Sequence, residues 1–80
     1  MSNVAIITGA ASGFGLGLAK ALVAKGWVVY ATDRDSAAVE KTKEFGAIPY
    51  RVDVTVRDDL DAVVKEAVAD HGKVDLMVAN

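Results

Sequence analysis

The segment Thr8-Gly9-Ala10-Ala11-Ser12-Gly13-Phe14-Gly15 lies between an apolar run, Val4 to Ile7, and a helical pattern from Leu16 to Lys25. A strand that ends at glycines and continues as a helix leaves backbone N–H groups at the positive end of the helix dipole. Glycine lets the chain turn sharply, and it lets a phosphate approach backbone that a Cβ would shield. The segment therefore predicts a binding site for a phosphate-type anion.

Extended and helical patterns alternate through the rest of the chain. Runs of β-branched and aromatic residues predict strands, and apolar residues three and four positions apart predict amphipathic helices. The predicted elements are a strand Trp27 to Thr32, a helix Ser36 to Phe45, a strand Ala47 to Val52, a helix with Leu60, Val63, Val64, Ala67 and Val68 on one face, and a strand Val74 to Asn80. This alternation predicts a parallel sheet with helices on its faces.

The predicted fold class is α/β, a partial Rossmann-type doubly wound parallel sheet with strand order three-two-one-four. Right-handed crossovers place the first two helices on one face, and a reversal after the third strand places the fourth strand beside the first. The glycine-rich segment then lies at the switch point, where such folds bind ligands. Because the sequence ends within an apolar run at Asn80, we expect residues 1–80 to be the N-terminal part of a single domain, truncated after the fourth strand.

Four local features carry predictions of their own. Asp35 is expected to cap the second helix. Pro49 cannot donate to a ladder, so it is expected at a strand start or on a sheet edge. Gly17, inside the first helix, suggests a close approach of helix and sheet. Thr55, with Asp58 three residues later, resembles a capping box.

Composition excludes several classes of function. The 80 residues are 52% hydrophobic and carry a formal net charge of −2, which argues against general binding to nucleic acid or to an anionic membrane. No apolar run approaches the ~20 residues of a membrane span. The absence of cysteine removes disulfides and thiol-ligated metals and suits a cytoplasmic protein. No matching ligand cluster accompanies Asp58, Asp59 and Asp61, so no metal site is expected.

The glycine-rich segment resembles the cofactor motif of the short-chain dehydrogenase/reductase family, T-G-x-x-x-G-x-G. It lacks the Gly-Lys-Ser/Thr of a P-loop. Further landmarks of that family occur in order along the chain. The matching residues are Thr8, Gly9, Gly13 and Gly15 in the motif, Asp33 at the end of strand two, Asp53-Val54 at the end of strand three, and Val78-Ala79-Asn80 in place of the family's N-N-A-G segment.

The resemblance implies a nicotinamide dinucleotide held mainly by backbone groups. Ser12, Gly13 and Phe14 would lie along its pyrophosphate, with Phe14 replacing the more usual Ile or Leu. Asp33 would accept hydrogen bonds from the adenosine ribose and repel a 2′-phosphate, which favours NAD over NADP. Arg34 weakens this preference, because a guanidinium there can partly accommodate the phosphate.

The resemblance also implies contacts to the adenosine. Asp53 would accept a hydrogen bond from the adenine amino group, the Val54 backbone would hold the ring, and Asn80 would lie near the ribose. Ala79 replaces the first Asn of the family segment. The implied cofactor-binding set is Gly9, Ser12, Gly13, Phe14, Gly15, Asp33, Arg34, Asp53, Val54 and Asn80.

The implied activity is NAD-dependent hydride transfer between nicotinamide and a secondary alcohol or ketone. The family uses a Tyr-x-x-x-Lys pair for proton transfer. Tyr30 and Tyr50 have Arg34 and Val54 in place of that Lys, so this chain supplies the cofactor-binding half and no catalytic residue. Two alternatives stay open: a non-catalytic dinucleotide-binding module or sensor, and a methyltransferase that uses S-adenosylmethionine.

The predicted partners are a small-molecule alcohol or ketone and a further polypeptide, with no nucleic acid and no membrane. Leu76 to Asn80 would form an unprotected apolar sheet edge, and such edges pair with other chains. We therefore expect a homo-oligomer or a complementing chain.

Overall fold

A computed structural model describes residues 2–80 of the chain. Strands and helices alternate along it, as the sequence pattern predicts. The elements are β1 Val4–Ile7, α1 Gly13–Ala24, β2 Val28–Asp33, α2 Ser36–Glu40, a 3₁₀ helix Lys41–Phe45, β3 Ile48–Arg51, α3 Arg57–His71 and β4 Leu76–Val78.

The four strands form one parallel sheet in the order β3-β2-β1-β4. Ile6, in the middle of β1, pairs with Tyr30 of β2 on one side and with Met77 of β4 on the other. Pro49 lies in β3 at the edge of the sheet, where a missing N–H does not interrupt a ladder. The predicted strand order and the predicted position of Pro49 are confirmed.

The two faces of β1 are buried in different cores, because successive side chains of a strand point to opposite faces. Ala5 and Ile7 pack in the core beneath α1 and α2. Val4 and Ile6 pack in the core beneath α3, together with Tyr30. The first two helices therefore share one face and the third helix covers the other, as right-handed crossovers require.

The second helix is shorter and tighter at its end than its sequence predicts. Asp35 caps its start as expected, since the Ala38 N–H donates to Asp35 Oδ1 over 3.1 Å. After Glu40 the backbone continues as a 3₁₀ helix rather than an α-helix. The Thr42 hydroxyl donates to the Val39 carbonyl over 2.7 Å within this segment.

The predicted capping box at the third helix is wrong. Helix α3 begins at Arg57, and Val56 occupies the cap position without a side-chain hydrogen bond. The Thr55 hydroxyl donates instead to Asp53 Oδ1 over 2.6 Å. A competing local hydrogen bond has therefore taken the side chain that the capping box needs.

The close approach predicted at Gly17 is also wrong. A Cβ built on Gly17 meets nothing within 4 Å outside its own helix, and the residue is exposed. The close approach occurs two residues earlier, at Gly15, which belongs to the candidate site. Of the helices within residues 2–80, none is long and apolar enough to cross a membrane.

Candidate functional site

The glycine-rich segment is tied at its start to both strands that flank β1. The Thr8 N–H donates to the Val78 carbonyl of β4 over 2.9 Å, and the Ala10 N–H donates to the Thr32 carbonyl of β2 over 2.9 Å. Gly9, between them, has a φ of 62°, a conformation that favours glycine. The turn is thus held at the switch point of the sheet, where the carboxyl ends of β1, β2 and β4 meet.

The first N–H groups of α1 are not used by a side-chain cap. Ser12 occupies the cap position in an extended conformation and makes no side-chain cap hydrogen bond. Ser12, Gly13 and Phe14 are all exposed, and Phe14 retains 69% of its surface. The helix begins at Gly13, earlier than the predicted Leu16. These backbone donors at the positive end of the helix dipole suit an anion.

Gly15 is the position at which only a glycine fits. A Cβ built there would overlap the Gly9 carbonyl oxygen and lie 2.9 Å from the Asn80 amide nitrogen. The helix start, the turn after β1 and the end of β4 therefore meet at one point. This contact joins three predicted site residues that are up to 71 positions apart in the chain.

Thr8 and Asn80 connect the glycine-rich turn to the end of β4. The Thr8 hydroxyl accepts from the Asn80 N–H over 2.9 Å and donates to the Val78 carbonyl over 3.2 Å. The Asn80 side-chain amide donates to the Gly9 carbonyl over 3.4 Å. Thr8 is 4% exposed, so its hydroxyl is a buried polar group with both hydrogen-bonding roles fulfilled. The sequence indicates Thr8 only as a motif position; its connecting role depends on where β4 lies.

The Asp33 carboxylate lies beside the glycine-rich turn, at the end of β2. Its Oδ2 accepts from the Ala11 N–H over 3.2 Å, and its Oδ1 accepts from the Asp35 N–H over 3.1 Å. These two backbone donors fix the direction of the carboxylate. The role of the Ala11 N–H was missed by sequence reasoning, because it requires β2 and the turn after β1 to be neighbours.

Six residues from the ends of β1, β2, β3 and β4 surround a cavity of about 170 Å³. Five of them belong to the predicted set, and Val52, which is 2% exposed, was not predicted. The lining residues are Gly9, Asp33, Arg34, Val52, Val54 and Asn80. The topology therefore brings together residues that the sequence places on four separate elements.

Asp53 belongs to the predicted set but does not line this cavity. Its Oδ1 accepts from the Thr55 hydroxyl over 2.6 Å and from the Thr55 N–H over 2.9 Å. These hydrogen bonds, with smaller contributions from the positive charges of Arg34 and Arg51, hold the pKa of the Asp53 carboxyl below its usual value. One carboxylate oxygen is therefore engaged in the turn, which leaves Oδ2 for a ligand.

The strand order, and a glycine-rich turn that opens a helix at the switch point, define a Rossmann-type α/β protein. Residues 3–80 match the model of the short chain dehydrogenase family. The chain belongs to the short-chain dehydrogenase/reductase family, as the resemblance of its motifs predicts.

Relatives of known activity and structure support this assignment. The chain is 36% identical over 86 residues to a diacetyl reductase ((S)-acetoin forming) of Staphylococcus epidermidis, covering 100% of this chain and 34% of that protein. It is 42% identical over 82 residues to the galactitol 2-dehydrogenase of Agrobacterium fabrum, covering 99% of this chain and 32% of that protein. The crystal structure of a 3-ketoacyl-(acyl-carrier-protein) reductase from Brucella melitensis complexed with NADH superimposes with a TM-score of 0.86 at 42% identity, covering 94% of this chain and 32% of that one. The chain spans about a third of the length of these relatives.

Proposed function

We propose that this chain binds NAD as the cofactor-binding part of an oxidoreductase. The observation that carries the proposal is the position of the Asp33 carboxylate, held by the Ala11 N–H beside the glycine-rich turn and in the wall of the adjoining cavity. A carboxylate at the end of the second strand of such a fold suits the hydroxyls of an adenosine ribose.

The residues present fit a dinucleotide. The exposed backbone of Ser12, Gly13 and Phe14 at the start of α1 would hold a pyrophosphate. A Cβ built on Gly13 meets nothing within 4 Å, so the space beside this residue is open. When bound, nicotinamide supplies the hydride acceptor or donor.

The cavity would receive the adenosine part of the cofactor. Asp33 would bind the ribose, Asn80 would lie near it, and Val54 would contact the adenine ring from the end of β3. The free Oδ2 of Asp53 would accept from the adenine amino group. The hydrogen bonds from Thr55 lower the pKa of this carboxyl, which favours its charged, hydrogen-bond-accepting form.

NAD is preferred over NADP in this proposal because of charge. The Asp33 carboxylate would repel a 2′-phosphate on the ribose that it binds. Arg34 lies in the same cavity wall and would attract that phosphate, but its positive charge also acts on Asp53.

The activity of the whole protein is proposed as hydride transfer between nicotinamide and a secondary alcohol or ketone. The names of the relatives, a diacetyl reductase and a galactitol 2-dehydrogenase, support this substrate class. This chain would bind the cofactor without turnover, because neither Tyr30 nor Tyr50 is followed by the required Lys. A cytoplasmic location is part of the proposal, since a chain without cysteine suits a reducing compartment.

Association with a second chain is also proposed. Strand β4 lies at the edge of the sheet with one side unpaired, and Met77 keeps 43% of its surface exposed there. An open strand edge beside apolar surface favours pairing with another strand, from a second copy or from a complementing chain. Light scattering tests this: a stable monodisperse monomer would contradict it.

Calorimetric titration with NADH, NADPH and S-adenosylmethionine tests the cofactor assignment. We expect NADH to bind most tightly and S-adenosylmethionine not to bind. Tightest binding of S-adenosylmethionine would refute the proposal, and tightest binding of NADPH would refute the preference for NAD. Added secondary alcohols with NAD should give no NADH fluorescence from this chain.

A further inference from the structure

A second and larger cavity lies on the face of the sheet that α1 and α2 cover. It is formed between α1 and the segment made of α2 and the 3₁₀ helix, and it is called the cleft between α1 and α2 below. Its volume is about 390 Å³, and it shares no lining residue with the cavity beside Asp33. Sites for small organic molecules typically have volumes of about 300–1,000 Å³. The cavity is therefore large enough for a small ligand and separate from the proposed cofactor site.

The walls of this cavity combine an apolar interior with a positively charged rim. Leu16, Ala38 and Phe45 are half-buried and supply apolar surface. Two exposed cations, Lys20 and Lys41, stand against one carboxylate, Glu44. The residues that line the cavity therefore carry a net positive charge, although the whole chain carries a formal net charge of −2.

Neither of the two ammonium groups at the rim forms an ion pair within residues 2–80. None of the ion pairs formed within residues 2–80 includes Lys20 or Lys41, whereas the adjacent Lys43 pairs with Glu40 at 2.8 Å. The Lys20 ammonium lies 5.8 Å from the centre of the Phe45 ring, over its face. This contact with the face of the ring holds the ammonium group beside the apolar surface of Phe45.

The 3₁₀ segment explains why these groups face the cavity together. Side chains three residues apart are eclipsed in a 3₁₀ helix, so Lys41 and Glu44 lie on the same side. Thr42 is turned inward and its hydroxyl is satisfied by the Val39 carbonyl. The 3₁₀ helix therefore places the charged side chains of Lys41 and Glu44 along one wall of the cavity.

We propose that the cleft between α1 and α2 binds a small monoanion with an apolar body, of the chemical class of an aromatic carboxylate. The carboxylate lies between Lys20 and Lys41, and the apolar body packs against Leu16 and Phe45. A single carboxylate matches the excess of one cation over Glu44. Ala11 lines this cleft and also donates its N–H to Asp33, so a ligand here also contacts the glycine-rich turn.

The test is an NMR titration of the full chain with benzoate and with benzamide, which share a ring and differ in charge. Benzoate should shift the amide signals of cleft residues in a saturable way, and benzamide should bind about fivefold more weakly, as expected for exposed charge pairs. Saturating NADH should leave benzoate binding intact. Absence of saturable shifts, equal affinity for the two compounds, or displacement by NADH would each overturn the proposal.

Charge variants sharpen the test. Lys20→Gln and Lys41→Gln should each weaken benzoate binding about two- to fivefold and leave benzamide unaffected. Glu44→Gln should strengthen benzoate binding, because it removes the one negative charge of the cleft. Lys65→Gln, on the opposite face in α3, is the matched control and should change nothing. An equal loss with Lys65→Gln would show only a general effect of net charge and would refute the site. NADH affinity, measured on the same variants, reports the cofactor site independently.

Discussion

Substitution of the two interior glycines of α1 by alanine tests the packing at the centre of the site. Gly15 and Gly17 lie in the same helix, two residues apart. A Cβ at position 15 overlaps the Gly9 carbonyl oxygen and approaches the Asn80 amide nitrogen to 2.9 Å. A Cβ at position 17 meets nothing within 4 Å beyond the helix itself. The same chemical change is therefore made once in a closed space and once in an open one.

The expected magnitudes separate the two variants. Alanine is favoured over glycine in a helix interior by ~1 kcal/mol, and this gain applies to both positions. Overpacking against backbone atoms costs about 1–3 kcal/mol, and it applies only to Gly15→Ala. We expect Gly17→Ala to raise the free energy of unfolding. The free energy of unfolding of Gly15→Ala should be lower than that of Gly17→Ala by the full steric cost. The gain from replacing glycine by alanine in a helix is common to both variants and cancels in the difference.

Urea denaturation followed by circular dichroism measures both free energies of unfolding under identical conditions. NADH titration of the folded variants adds a second reading, since displacement of Gly9 and Asn80 should weaken binding only in Gly15→Ala. If Gly15→Ala were as stable as Gly17→Ala and bound NADH equally well, the contact of α1 with the turn and β4 would be refuted. A loss of stability in Gly17→Ala would contradict the open space assigned to that position.

Substitutions at three further positions test other contacts of the site and the sheet. Asp33→Asn keeps an oxygen for the Ala11 N–H but removes the negative charge. Calorimetry should show NADH binding weakened ~10–100-fold, which is the loss expected for hydrogen bonds to a charged group. The preference for NADH over NADPH should also become smaller. An unchanged ratio of the two affinities would exclude Asp33 as the discriminating charge. Thr8→Val leaves the Asn80 N–H without its acceptor and should lower the free energy of unfolding by about 1–3 kcal/mol, whereas Thr8→Ser should lower it less. The Val4 N–H, with help from a nearby ammonium, holds the pKa of Asp75 below its usual value. The stabilisation that the Asp75 carboxylate contributes is therefore complete above the unfolded-state pKa of about 3.9. It is lost as the pH falls through the pKa of the folded state. In Asp75→Asn, the urea midpoint should fall less steeply with decreasing pH than in the unsubstituted chain. If the two pH dependences were equal, other groups would account for acid unfolding.

The sequence was sufficient for the order of elements and for the strand order. Apolar β-branched runs, amphipathic spacing and glycine or aspartate at element ends are local signals, and each is contained in a few consecutive residues. The alternation of strands and helices then allows few topologies for a parallel sheet, because crossover connections are right-handed. The glycine-rich segment was located for the same reason, since its turn and the helix that follows it are adjacent in the chain.

Contacts across the fold could not be derived in this way. The sequence placed a close approach at Gly17, but the structure places it at Gly15, because the obstacle is formed by Gly9 and by Asn80 from the far end of the chain. Thr55 and Asp53 are close in sequence, yet which partner Thr55 would choose depended on where α3 begins. These outcomes depend on which distant segments lie beside each residue.

The character of the two candidate binding surfaces was likewise decided by tertiary structure. The resemblance of the motifs predicted Asp33 as a ligand-binding acid, but the direction of its carboxylate is set by the Ala11 N–H, 22 positions earlier. The cleft between α1 and α2 has no sequence motif, because it is the space left between two helices packed on one sheet face. Local chemistry along the chain determined which elements form and where the turn lies. Only the packing of those elements determined which backbone groups and charges face one another, because hydrogen bonds and steric contacts act over distances that the linear order does not contain.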